Sequence, residues 1–155
     1  MAGPETAFSA EHRAESWRLT LERAGITPPP VLRGDWTCES GYQHGLELGR
    51  RDDVTAIFAA NDQMALGVMQ ALHELGREIP GDISIVGFDD MEEARSFWPP
   101  LTTIRQDFTA VGRLSMRKLL QQVSDRGSEN RGQENGRTTV PTRLIVRRST
   151  GRPPG

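Results

Sequence analysis

Cysteine is almost missing from this chain. Cys38 stands alone, so no internal disulfide can form, and no Cys/His group has zinc-ligand spacing, which fits a reduced, cytoplasmic setting. Charge of one sign is not in excess either. With 19 basic and 21 acidic residues the formal charge is -2, which offers no broad positive face to a phosphate backbone, so the chain is not expected to bind nucleic acid unaided. No stretch approaches the roughly 20 apolar residues of a membrane span, and the opening Met-Ala-Gly-Pro-Glu-Thr-Ala lacks the basic and apolar regions of an export signal. His12, His44 and His73 lie far apart, and no nucleophile–base pair, phosphate loop or metal motif surrounds them, so no catalysis, cofactor or metal is expected. What remains is ordinary for one soluble globular domain: 155 residues, 35% hydrophobic and 26% charged.

Between Val54 and Phe108 one pattern recurs three times, a buried strand ending in polar residues. Val54–Ala60 runs into Asn61 and Asp62, Ile83–Phe88 into Asp89 and Asp90, and Leu101–Arg105 into Gln106 and Asp107. Val54–Ala60 is apolar almost throughout, as in a parallel strand covered on both faces. Asp62 can cap the helix that follows, with Leu66, Met69 and Leu72 along it and Gly76 as its stop. Ahead of this βαβ unit, Ser9–Arg23 reads as a helix, Val31–Trp36 as an extended segment, and 40–51 as a helix with Tyr42 and Leu46 inward. After Pro99-Pro100 come a short strand and an amphipathic helix over 107–123. Residues 124–138 have a linker's composition. A return strand lies within 139–150, where Leu144 and Val146 alternate with Arg143 and Arg147, and 151–155 form a disordered tail. The fold class is α/β, a parallel sheet flanked by helices. In such sheets ligands sit outside the carboxyl ends of the strands, so the three polar strand ends point to a small-molecule cleft.

The residues alone leave alternatives open. Asn61 and Asp62 can serve only as caps, and Asp89-Asp90 only as a solvated strand end, although its place beside Asn61 favours the cleft. Arg13 taken alone is a surface helix arginine and Trp36 a half-buried packing residue.

Ala60-Asn61-Asp62-Gln63-Met64-Ala65-Leu66-Gly67, Asp82-Ile83-Ser84-Ile85-Val86-Gly87-Phe88-Asp89-Asp90 and Pro99-Pro100-Leu101-Thr102-Thr103-Ile104-Arg105-Gln106-Asp107-Phe108 resemble, in order and spacing, the effector-binding domain of lac-repressor-type transcription regulators. Gly34-Asp35-Trp36 and Ser40-Gly41-Tyr42 resemble the namesake branch more than the purine or ribose branches. The likeness runs from about Ala2 to Thr150. It implies a type I periplasmic-binding-protein-like fold, with 1–106 as most of the C-terminal subdomain and 107–123 as a helix that packs on an N-terminal subdomain. It also implies that the DNA-reading headpiece and a central strand preceding Ala2-Gly3-Pro4 lie outside this chain, which would leave apolar edges and marginal stability. The ligand implied is a sugar, of galactoside type, held by Arg13, Trp36, Asn61, Asp89, Gln106 and Phe108. The partner implied is a second copy, through Leu66, Met69, Gln70, His73, Phe97 and Trp98, with operator DNA reached only through a headpiece. The rival expectations are a sugar-transport binding protein and a remnant that binds nothing.

Overall fold

The computed structural model describes residues 1–125 and 138–153. The linker expected over 124–138 lies largely outside them, as does the end of the tail. Two compact units are present, Met1–Ile104 with Leu144–Gly155, and Arg105–Arg143.

The first unit is α/β. Its elements are α1 (Phe8–Arg23), α2 (Cys38–Gly49), β1 (Ala56–Phe58), α3 (Asp62–Glu74), β2 (Ser84–Asp89), a 3-10 turn at Glu92–Ser96 and β3 (Thr102–Arg105). The sheet runs β1-β2-β3-β4, where β4 is Arg143–Ile145. β1 and β2 pair in parallel, Ala56 with Ser84 through Phe58 with Val86. The core is one cluster in which Ile57, Ala59, Ile83 and Ile85 of the strand segments meet Met64, Val68, Met69 and Leu72 of α3, closed by Phe97 and Leu101.

α2 does not bury what its apolar pattern suggests. Tyr42 and Leu46 are half-exposed, and the buried positions are Gly41, Gly45 and Gly49. A repeat of four keeps these glycines on one face of a helix, and with no side chains between them α2 lies directly on α3. A Cβ at Gly41 would stand 2.1 Å from the Met64 carbonyl oxygen, and one at Gly67 1.9 Å from that of Cys38.

β1 also departs from expectation. Ile57 and Ala59 are buried, but Thr55 and Ala56 are exposed, so the strand is not covered on both faces along its length. On the edge away from β2 its neighbour is Met1, whose amino group donates to Phe58 O at 2.9 Å and whose carbonyl accepts from Ala60 N at 3.1 Å. Ala2 in turn pairs in parallel with Arg33, so Met1–Ala2 links β1 to the extended segment before α2. Only the carboxyl end of β1 gains cover from this link.

The alternation expected of the return strand is inverted. Leu144 and Val146 are 57% and 69% exposed, while the Arg147 side chain is 15% exposed. The backbone explains the inversion. Residues 147–151 are laced to β2 and β3 by polar contacts: Arg147 N donates to Thr102 Oγ1 (2.9 Å), Thr102 N to Ser149 Oγ (2.7 Å), Ile85 N to Ser149 O (2.7 Å) and Gly151 N to Ser84 Oγ (3.1 Å). Ser149 is fully buried as a result.

In the second unit, α4 (Phe108–Asp125) is capped by Asp107, which accepts from Ala110 N at 2.8 Å. Its apolar stripe of Val111, Met116, Leu119, Leu120 and Val123 is exposed. Among the described residues no helix is long and apolar enough to cross a membrane.

Candidate functional site

Four segments of the first unit converge at the carboxyl ends of β1 and β2. α1 brings Arg13, the turn before α2 brings Trp36, the β1–α3 junction brings Asn61, and the end of β2 brings Phe88 and Asp89. Arg13 is the hub. One guanidinium nitrogen donates to Ala60 O and another approaches Asp89 Oδ1 at 3.5 Å. Its carbon stands 3.8 Å from the centroid of the Phe88 ring and 5.6 Å from that of Trp36, within cation–π range of both. Burial pulls the guanidinium below its ordinary pKa, and the Asp89 charge opposes that shift.

The backbone here is strained. Among the described residues the non-glycine positions with positive φ are Trp36 (74°), Asp89 (107°) and Asp90 (53°), all at or beside this cluster. Each such position costs about 1–3 kcal/mol and persists only where its surroundings over-determine it. For Trp36 those surroundings are visible. Thr37 donates from both its N–H (3.0 Å) and its hydroxyl (2.5 Å) to Asp35 Oδ1, and the Thr37 hydroxyl first, then Ser40 and the Thr37 N–H, hold the Asp35 carboxyl down at about 2. Asn61 Nδ2 donates to Trp36 O at 3.0 Å. The indole lies so close over Gly3 that a Cβ there would stand 2.3 Å from it.

The capping expected of Asp62 falls to Asn61. Asn61 caps α3, its Oδ1 accepting from Met64 N at 2.9 Å. Asp62 does not cap. Its carboxylate accepts from the Thr103 hydroxyl (2.5 Å) and from Met91 N (2.9 Å), because the residue is buried and its side chain lies against Gly87 of β2 rather than along its own helix. Burial, the largest influence, raises its pKa; the two donors oppose this, and Asp89 and Asp90 add to it.

Arg13, Trp36, Asn61 and Asp89 are thus brought together. Gln106 and Phe108 belong to the second unit, where Gln106 is half-buried and Phe108 is 62% exposed at the start of α4. Phe88 is the member that sequence reasoning missed. Its signal was present in the alternation of β2, which puts Ile83 and Ile85 in the core and turns Val86 and Phe88 to the other face.

The residues named for a protein surface separate into two groups. Leu66, Gln70, His73 and Trp98 are exposed, Trp98 at 91%. Met69 (4%) and Phe97 (8%) are core members. An open pocket of about 370 Å³ lies beside them, lined by Met69, His73, Arg77, Ile79, Trp98 and Pro99 among others. This hollow is far larger than the one of about 10 Å³ beside Arg13, which is lined by Met1, Trp17, Phe58 and Ala60 among others.

Chemically, the cluster offers a carboxylate acceptor, a guanidinium donor and two aromatic faces. That combination suits a polyol, whose neighbouring hydroxyls donate to one group while accepting from the other. Among the described residues no group of three or more His, Cys, Asp or Glu could hold a metal ion.

Residues 1–150 match the family model of the periplasmic binding protein-like domain. The chain is 40% identical over 151 residues to the lactose operon repressor of Escherichia coli (strain K12), covering 97% of this chain and 40% of that protein. Among solved structures, the lac repressor dimer bound to operator and the anti-inducer ONPF superposes with a TM-score of 0.82 at 40% identity, over 96% of this chain and 50% of that one. The complex of transcriptional regulator CelR with cellobiose superposes with a TM-score of 0.83 at 33% identity, over 96% and 45%. The chain spans half or less of the length of each.

Proposed function

The chain belongs to the family of periplasmic-binding-protein-like domains, and from that premise we propose that it is the effector-sensing part of a cytoplasmic, sugar-responsive transcription regulator of the lac-repressor type. It is not an enzyme, and it reaches operator DNA only through a headpiece. The observation that carries the sugar reading is the strained Trp36–Arg13–Asp89 cluster at the strand ends. Asp89 accepts from one hydroxyl of a vicinal pair, and Arg13 donates to the oxygen of the next. Trp36 covers an apolar ring face, and Asn61 keeps one amide hydrogen beyond its bond to Trp36 O. A galactoside is the first ligand to test. Sugar bound more tightly by one arrangement of the domain than by another shifts the population of the two, which is how it controls DNA binding.

A second copy docks on the face of α3, where Leu66, Gln70 and His73 are exposed and an open pocket is lined by Met69, His73 and the exposed Trp98, next in sequence to the buried Phe97. An exposed tryptophan beside a hollow with Met69 and Ile79 in its wall has the character of an interface anchor.

The test is a titration of the purified chain with galactosides and gluco-configured sugars, following tryptophan fluorescence, with Asp89→Ala as control. A saturable change absent from the variant supports the reading. A folded chain with no response to any sugar, or an equal response from the variant, removes this site from it.

A further inference from the structure

Arg147 lies 57 residues beyond Asp90 in sequence, yet its guanidinium donates to Asp90 Oδ1 at 2.6 Å and to Leu101 O at 2.7 Å. The two side chains are only 15% and 4% exposed. Asp90 is the second of two successive positive-φ residues, and the first is Asp89, whose carboxylate meets Arg13. The two peptides that flank Asp90 are each gripped from a further side. Asp90 N approaches Thr103 Oγ1 at 3.4 Å, and Met91 N donates to Asp62 Oδ2 at 2.9 Å. Arg147 is itself fixed, since its own N–H donates to Thr102 Oγ1. Neither residue is glycine, so the left-handed conformation carries strain at both positions, and these partners from distant parts of the chain help to hold it.

From this arrangement we propose that Arg147 is a positioning residue: by anchoring Asp90 it imposes the left-handed turn that presents Asp89 to Arg13 and to ligand, so the returning end of the chain is part of the binding site without touching it. The role in ligand binding rests on the sugar reading above; the role in placing Asp89 does not. Losing a charged hydrogen bond to a buried partner frees the turn to relax, which withdraws the Asp89 carboxylate from Arg13 and lets the guanidinium leave the Phe88 ring.

Two readouts separate these statements. Arg13 side-chain protons sit over Phe88, so their NMR signals are displaced upfield by the ring, with or without sugar. Arg147→Gln is expected to abolish most of that displacement and to weaken sugar binding roughly tenfold or more. The double variant Asp90→Asn/Arg147→Gln, which removes the orphaned charge and keeps a polar pair, is expected to recover part of the displacement. Leu72→Ala, a core truncation away from the site, controls for general destabilisation and is expected to leave the displacement intact. Should Arg147→Gln fail to fold, Arg147→Lys, which keeps the charge but cannot reach Asp90 and Leu101 O together, is read in the same way. Loss of the displacement in a chain that binds no sugar upholds the positioning role and overturns only the sugar reading. An Arg147 variant that retains the displacement, with affinity no lower than that of Leu72→Ala, overturns the positioning role.

Discussion

Gly67→Ala should destabilise this protein although it replaces the poorer helix former with the best one. A Cβ at Gly67 would lie 1.9 Å from the Cys38 carbonyl oxygen and 2.6 Å from Tyr42 N. Carbon–oxygen contacts settle near about 3.3 Å, so the start of α2 has to retreat by about 1.4 Å. The helix has no slack, because Gly41 already lies against Met64 O. Overpacking of this kind costs about 1–3 kcal/mol, and the gain in helix propensity offsets about 1 kcal/mol of it. Cys38 follows Trp36 by two residues, so the retreat also pulls Trp36 O away from Asn61 Nδ2, at a cost of about 1 kcal/mol. The net loss is about 1–3 kcal/mol, a large share of a typical domain's stability. Urea unfolding followed by circular dichroism should show the midpoint falling by roughly 1 M. In a background with Trp17→Phe and Trp98→Phe, the emission of Trp36 should shift under native conditions. Gly112→Ala on α4 is the comparator. Its Cβ meets nothing within 4 Å, so it should gain about 0.5–1 kcal/mol of helix stability. A Gly67→Ala protein as stable as its parent, with unchanged Trp36 emission, would refute the close contact of α2 with α3.

Asp62 makes stability depend on pH. Its folded pKa is raised by burial above the unfolded value of about 3.9, so the native state holds a proton that the unfolded chain releases, and the stabilisation is present below about pH 4 and lost as pH rises through the folded pKa. The stability of the parent relative to Asp62→Asn should therefore fall with rising pH, and a constant difference over about pH 3 to 7 would contradict the assignment. Arg13→Lys keeps the charge but loses both the fork that spans Ala60 O and Asp89 and the stacking on Phe88. Calorimetry should show sugar affinity lowered about tenfold, and equal affinity would remove Arg13 from the site. Trp98→Ser should leave the unfolding free energy of the monomer within about 0.5 kcal/mol but weaken self-association by about 2 kcal/mol or more in sedimentation equilibrium. Unaltered self-association would place the interface elsewhere.

Several elements were legible because their signals are local. The apolar run before Asn61 and the 3.6-residue spacing of Leu66, Met69 and Leu72 declare a strand and a helix from neighbouring residues alone. α4 declares itself through its apolar stripe. α2 was misjudged on its buried face because hydrophobic periodicity has no term for glycine, and the signal was a repeat of four at Gly41, Gly45 and Gly49. The return strand misled for a related reason. Alternation says which residues differ, not which side the protein covers, and here hydrogen bonds to Ser149 and Thr102 turned Arg147 inward and Leu144 outward.

The sequence by itself determined the α/β class, the polar strand ends and the residue types suited to a polyol, since each follows from composition, period and local propensity. Only the tertiary structure decided how those groups are used. It turned Asp62 against β2 and left the capping to Asn61, set Phe88 under Arg13, and drew Arg147 onto Asp90 from the far end of the chain. Such pairings depend on long-range closure of the sheet, and a left-handed turn built without glycine is held by partners that lie tens of residues away.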